Sequence, residues 1–260
     1  MTVVDGHVHL AAPGSAAAEL LRCAAAPEDL LRQMDRAGVA AAVVLGLPGL
    51  QTPEEVLGLC AAARDRLFPL SGVDPRRAAD VGRIRHARDL GFWGLKAHPR
   101  LAGLPVNVDT WGPVLEQAAA AGLPVVFDAL PQSPDAPLAE MDYHAFDRLA
   151  RAFREVQIVL AHACAPWVLG AYAVAKANPN VWLDVSFSVQ YYAGSSVETD
   201  LAFVSDKLDR RVIYGSDFPQ YPADSYLEAY RRLIDDRPGV DRRLVLGANA
   251  VNLFRLPLAC

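Results

Sequence analysis

Residues 2–10 read Thr-Val-Val-Asp-Gly-His-Val-His-Leu, an apolar run of strand length carrying His7 and His9 two positions apart. Alternate side chains of an extended strand share a face, so both imidazoles project the same way. Asp5 falls on that face too, as a candidate partner to orient a ring. Two neutral imidazoles side by side supply half of a metal site. The pair reads equally well as two hydrogen-bonded core histidines. Residues 212–217, Val-Ile-Tyr-Gly-Ser-Asp, favour the metal: they form an apolar strand near the far end of the chain that closes on a carboxylate, Asp217.

Between these two runs the pattern repeats. Strand-length apolar stretches at 2–10, 40–47, 67–73, 92–98, 123–129, 156–163, 180–186 and 211–217 alternate with helical segments. Helix starts are marked by Pro27-Glu28-Asp29, Pro53-Glu54-Glu55 and Asp109 through Gly112-Pro113, where proline and acids suit the unpaired backbone donors. Gly38, Gly91 and Gly122 follow the helical patterns as end caps. Eight β-α units in 260 residues predict one α/β domain over 1–260, a closed (β/α)8 TIM barrel. An open doubly wound sheet is the alternative, and no Gly-x-Gly-x-x-Gly turn supports it. The longest connection, Leu130–Glu140, is expected over the catalytic face as a lid or pocket wall.

Composition narrows the partners. With 25 Lys+Arg against 30 Asp+Glu and no run of more than two adjacent basic residues, neither nucleic acid nor an anionic membrane is expected. A small-molecule substrate is. The four cysteines, at 23, 60, 164 and 260, have no paired spacing, which points to free thiols in a reducing cytoplasm. No secretory signal is expected ahead of the first strand. Residues 156–175 carry no Asp, Glu, Lys or Arg, but His162, Pro166 and Gly170 break the stretch into a buried strand, a turn and a helix start.

In a barrel the chemistry gathers at the C-terminal ends of the strands. Those ends offer His7 and His9, Lys96 and His98, Asp128, His162, Asp184 with Ser186, and Asp217. His162 is in phase with Ile158 and Leu160, as Asp217 is with Ile213 and Gly215. Each also has a plain structural reading. Lys96 could pair with Asp128 or Asp184, His98 could cap a loop, and Asp184 with Ser186 could be a hydrogen-bonded strand end. His86 and His144 read as surface residues, and Cys164 as a buried thiol. Trp167 is the tryptophan best placed to line a pocket.

The strings VDGHVHL (4–10), GFWGLKAHPRL (91–101), GLPVVFDA (122–129), VQIVLAHAC (156–164), VIYGSDFP (212–219) and LGANAVNLF (246–254) resemble, in order, the amidohydrolase superfamily. The nearest branch holds mononuclear metal-dependent hydrolases, lactonases and nonoxidative decarboxylases, the aminocarboxymuconate-semialdehyde-decarboxylase-like group. The resemblance implies a TIM barrel with a C-terminal helix and one divalent metal on His7, His9 and Asp217. Zinc comes first, with manganese or iron as alternatives. It implies that His162 acts on substrate or water. It matches Lys96 to a lysine that bridges two metals in some relatives and stays unmodified in the Lys-Ala-His-Pro-Arg context.

One position departs. The family commonly has a fifth-strand histidine ligand where this chain has Asp128, so Asp128 is a candidate fourth ligand. The expected function is hydrolysis of a small carboxylate-bearing lactone, amide or ester. Asp217 and His162 would be catalytic, and Lys96, His98, Arg100 and Trp167 would bind substrate. Decarboxylation of an aromatic or unsaturated acid is the alternative, followed by a metal-free lactonase or a degenerate binding barrel. Barrels of this family frequently dimerise, so a homodimer is the assembly to test.

Overall fold

The structure is a computed structural model and describes residues 1–131 and 142–259. Strands β1 (Val4–Val8), β2 (Ala41–Leu45), β3 (Leu67–Val73), β4 (Leu95–Ala97), β5 (Val125–Phe127), β6 (Ile158–Leu160), β7 (Val181–Asp184) and β8 (Val212–Ile213) pair in parallel, in chain order. The sheet then closes on itself: Gly6 N donates to Tyr214 O at 2.8 Å, Asp217 N to His7 O at 2.9 Å and His9 N to Phe218 O at 2.7 Å. Each of the eight apolar runs holds one strand, and the TIM barrel expected from the sequence is the architecture found.

The helices lie between and after the strands. They are α1 (Ala16–Leu21), α2 (Pro27–Ala37), α3 (Pro53–Cys60), α4 (Ala78–Arg83), α5 (Pro99–Ala102), α6 (Val108–Ala121), α7 (Tyr143–Ala152), α8 (Val168–Ala177), α9 (Ser188–Tyr191), α10 (Ser196–Lys207), α11 (Ala223–Asp235) and α12 (Asn249–Phe254). The proline signals locate α2 and α3. At the start of α3, Thr52 Oγ1 accepts from Glu55 N while Glu55 Oε2 accepts from Thr52 N, a reciprocal cap. Helix α6 starts earlier than expected, with Asn107 as its cap, and takes Pro113 inside it. The uncharged stretch 156–175 resolves into β6, a turn and most of α8. No described helix is long and apolar enough to cross a membrane. From residue 132 the long fifth connection lies outside the described residues.

Two cores hold the barrel. Val4, Ala41, Val43, Leu45, Phe68, Leu70, Val126, Val159, Ala161 and Ile213 fill its interior. Their alternate neighbours face outward, where Val44, Leu95, Phe127, Leu160 and Leu183 pack into the larger core that includes helix residues. Most strand residues on both faces are thus apolar, which is why the strands read as hydrophobic runs. Ala250, Val251, Leu253 and Phe254 of α12 join the interior core. Asn249 Nδ2 fixes that helix by donating to Asp209 O at 2.6 Å and Val212 O at 2.7 Å. The C-terminal helix therefore closes the end of the barrel where the strands begin.

The join between β1 and β8 is unusually close. A side chain on Gly6 would meet Ile213 Cγ2 at 2.4 Å, and one on Gly215 would meet His7 Cβ at 2.7 Å. These two glycines let the first and last strands bring their polar ends together. Strand β1 also carries one extra residue between Asp5 and Val8 relative to β2. Such a bulge re-aims the residues that follow it.

Candidate active site

The ring nitrogens of His7 and His9 and the carboxylate of Asp217 converge at this join. His7 Nε2 lies 3.3 Å from His9 Nε2, and Asp217 Oδ1 lies 3.5 Å and 3.6 Å from those two atoms. Among the described residues this is the one group of three or more side chains able to hold a metal ion. The outer nitrogens are already committed. His9 Nδ1 faces Leu45 O at 2.8 Å, and His7 Nδ1 faces Asp184 Oδ2 at 2.5 Å. A carbonyl only accepts, so His9 carries its proton on Nδ1, and the carboxylate favours the same tautomer for His7. Both Nε2 lone pairs then point at each other and at a carboxylate oxygen. Three acceptors meet with no donor between them, an arrangement that a cation satisfies. Burial pushes the His7 imidazole well below its usual range, with the charge of Lys96 adding to it, and pushes His9 down to about 3. Both rings are therefore neutral, as ligands must be.

Asp5 does not orient a ring, contrary to the alternation argument. Its Oδ1 accepts from two backbone amides, His7 N at 3.2 Å and Ser216 N at 2.9 Å, and so ties β1 to the loop that carries Asp217. The ring-orienting carboxylate is Asp184, held by Ser186 N at 2.8 Å. Asp184 is thus both a hydrogen-bonded strand end and the carboxylate that faces the His7 ring.

His162 enters the site by an unexpected route. Val159 of β6 and Ala161 just after it face the interior, while Ile158 and Leu160 face the helices, so the phase argument fails there. The chain turns instead: His162, Ala163 and Cys164 have φ of 61°, 50° and 53°. Left-handed backbone costs a non-glycine residue roughly 1–2 kcal/mol. That strain is concentrated at the strand ends, for Phe187 and Asp217 also have positive φ, 62° and 63°. The His162 ring ends 5.0 Å from that of His7, centroid to centroid. Ser186 Oγ sits 3.1 Å from Nδ1 of both. Cys164 is buried, and burial pushes its thiol up, which favours the protonated form over the thiolate.

Asp128 stands apart from the three-acceptor group. Arg100 donates to it through Nε at 2.8 Å and Nη2 at 3.1 Å, a two-pronged pair. His162 Nε2 lies 3.4 Å from Asp128 Oδ1 and His98 Nδ1 3.5 Å from Oδ2. Burial favours the neutral acid, but His98, Arg100 and His162 together hold this carboxyl well below the usual range. Burial likewise works against a charged His162, yet its pairing with Asp128 and the nearby Asp217 raise it. His98 both lines the cleft and caps α5, its Nδ1 accepting from Leu101 N at 3.2 Å.

His9, His98, Arg100, Asp128, His162 and Asp217 line a cleft of about 480 Å³ with Lys96, Leu20, Leu21, Leu47, Leu130, Phe187, Tyr191 and Gln220. Phe187 stacks on Tyr191 with centroids 4.6 Å apart and planes at 24°. Trp167 is not among the lining residues and packs edge-on against Tyr143 at 6.4 Å. It follows the left-handed turn at residues 162–164. Leucines of α1, Phe187 and the ring-orienting role of Asp184 have no local signal in the sequence.

Residues 4–256 match the family described as amidohydrolase. The chain belongs to the amidohydrolase family. Membership makes it an enzyme, one of a family of hydrolases and decarboxylases. No curated protein sequence matches it. Among solved structures it is similar to an uncharacterised TIM-barrel protein from Bordetella bronchiseptica, with 19% identity, 98% of this chain and 99% of that one covered, and a TM-score of 0.80. It is also similar to a probable 2-pyrone-4,6-dicarboxylic acid hydrolase from Acinetobacter baumannii, with citric acid bound (18%, 98% and 100%, TM-score 0.73). A third is 5-carboxyvanillate decarboxylase from Novosphingobium aromaticivorans, in complex with manganese and 4-hydroxy-3-methoxy-5-nitrobenzoic acid (16%, 98% and 96%, TM-score 0.69). At these identities the likeness is one of fold.

Proposed function

We propose that this amidohydrolase is a metal-dependent hydrolase that opens a small carboxylate-bearing lactone, amide or ester with an activated water. The observation that carries the reading is the group of three facing acceptors, His7 Nε2, His9 Nε2 and Asp217 Oδ1, at a cleft. Two imidazoles and a carboxylate fit zinc, with manganese or iron as alternatives. Bound there, the ion would supply Lewis acidity to a substrate oxygen and acidify a water.

The chain's own residues do the rest. Asp217 takes the proton of the attacking water on its carboxylate and passes it to the leaving oxygen or nitrogen. His162, kept a proton donor by Asp128, hydrogen-bonds the carbonyl oxygen as negative charge grows on it. Arg100 anchors Asp128, and through it the His162 ring. Asp128 is read as a positioning carboxylate and not as a ligand. Asp184 and Leu45 O set the two ligand rings.

A nonoxidative decarboxylase is the second reading. What favours it is the stacked Phe187–Tyr191 wall beside the same residues, a flat surface suited to an unsaturated acid. The products separate the two. Purified protein stripped with a chelator and reloaded with zinc, manganese or iron is assayed for proton release from carboxylated lactones and esters, and for CO₂ release from aromatic acids. Metal-dependent proton release is expected. CO₂ release in its place selects the decarboxylase, and neither product with any ion overturns both.

A further inference from the structure

We propose that Lys96 is the receptor for a substrate carboxylate at the inner end of the cleft, an inference that rests on reading the cleft as the active site. Lys96 lies on the interior face of β4, level with Val126 of β5 and one layer below Asp128. Its side chain is fully buried and belongs to the cleft lining. Its Nζ has no hydrogen-bond partner. A structural lysine in such a place takes one of the neighbouring carboxylates, as the sequence allowed for Asp128 or Asp184. Here every one is committed elsewhere. Asp128 is gripped by Arg100, Asp184 by His7 and the amide of Ser186, and Asp217 faces the two histidines.

A buried amine with no acceptor is unfavourable in a closed, dry site. The group that satisfies it arrives with the ligand, and an ammonium is best matched by a carboxylate. Arg100 differs because Asp128 already occupies its two-pronged face. The substrate class that follows is an acid whose carboxylate enters first and lies close to the reacting centre, not at the solvent end.

Benzoate and benzamide share size and shape and differ in charge, so they serve as probes. Their affinities are measured by calorimetry for wild type and Lys96→Met, in chelator and again with zinc. The expected result is a preference for benzoate of about tenfold or more in the chelated wild type, lost in Lys96→Met. The variant is expected to melt at or above the wild-type temperature, since a buried unpaired amine has been replaced by an apolar chain of similar length. A preference that survives in Lys96→Met overturns the proposal, as does a variant that melts well below wild type through loss of a structural pair. A chelated wild type with no preference overturns it without any variant. Zinc uptake without benzoate preference sinks this inference alone, and preference without zinc uptake sinks the metal reading alone.

Discussion

The mouth of the barrel holds two clusters built from the same residue types with opposite electrical needs. Where β1 meets β8, His7, His9 and Asp217 present three acceptors to one another. Where β4 meets β5, the single carboxylate of Asp128 is surrounded by Arg100, His98 and His162. The first cluster lacks a positive charge at its centre, and the second already contains one. The difference lies in the outer contacts of each ring. Leu45 O and Asp184 fix the lone pairs of His9 and His7 inward, whereas His98 spends its Nδ1 on a helix cap. Histidine and aspartate do not make a metal site by proximity alone. What counts is which ring atom has been left an acceptor.

Substitutions should break the two clusters in different ways. The largest effect is expected for Asp217→Asn, which removes both the ligand oxygen and the proton acceptor of the proposed mechanism. Turnover should fall by roughly 10³-fold or more and bound metal should be lost, with the circular dichroism spectrum unchanged. Atomic emission on the purified variant tests this, and a full complement of metal would contradict the assignment.

Asp128→Asn should do the reverse. Metal content stays at the wild-type level, while kcat drops by about 10²-fold as His162 loses its partner. Removing one half of a buried ion pair should also cost on the order of 3 kcal/mol in chemical denaturation. A variant without bound metal would put Asp128 back among the ligands.

Asp184→Asn keeps the shape of the group behind His7 but weakens its hold on the ring. Metal affinity measured against a competing chelator should fall by about 10–100-fold. An unchanged affinity would mean that the 2.5 Å contact does not set the ring.

The smallest effect concerns acid stability. Burial pushes His98 down from 6.5 to about 3, and its Nδ1 must stay unprotonated to cap α5. Below pH 6.5 the unfolded chain takes up a proton that the folded chain refuses until about 3. This stabilisation is therefore complete above about 6.5 and is lost as the pH falls towards 3. Asn at position 98 offers a cap oxygen without the titration. In chelator, His98→Asn should flatten the slope of unfolding free energy against pH in that window by about one proton.

Several elements were legible without coordinates because their cause is local. Thr52-Pro53-Glu54-Glu55 carries its own cap, and α3 starts there. The strand at 67–73 is found at Leu67–Val73, since five of its seven residues are buried and every position is apolar or small. His7, His9 and Asp217 were also readable, as polar residues ending apolar strands. His162 was found for a reason that does not hold. Alternation placed it inward, but β6 is three residues long and the chain then turns through left-handed backbone, which no periodicity encodes. Asp5 fell on the ring-facing side only until the bulge in β1 moved His7 and His9 past it. Trp167 looked close to the sixth strand end, but it packs against Tyr143 and is not among the residues that line the cleft.

The sequence by itself determined the eight β-α units, their order and the residues able to bind a cation. Apolar burial on both faces of a strand, helix caps and side-chain chemistry are properties of neighbours along the chain. Tertiary structure alone decided which carboxylate serves which ring: Asp184 for His7, Asp128 for Arg100 and His162, and none for Lys96. Those partners come from different strands, so their pairing depends on the register with which the sheet closes and on the strained turns that leave it.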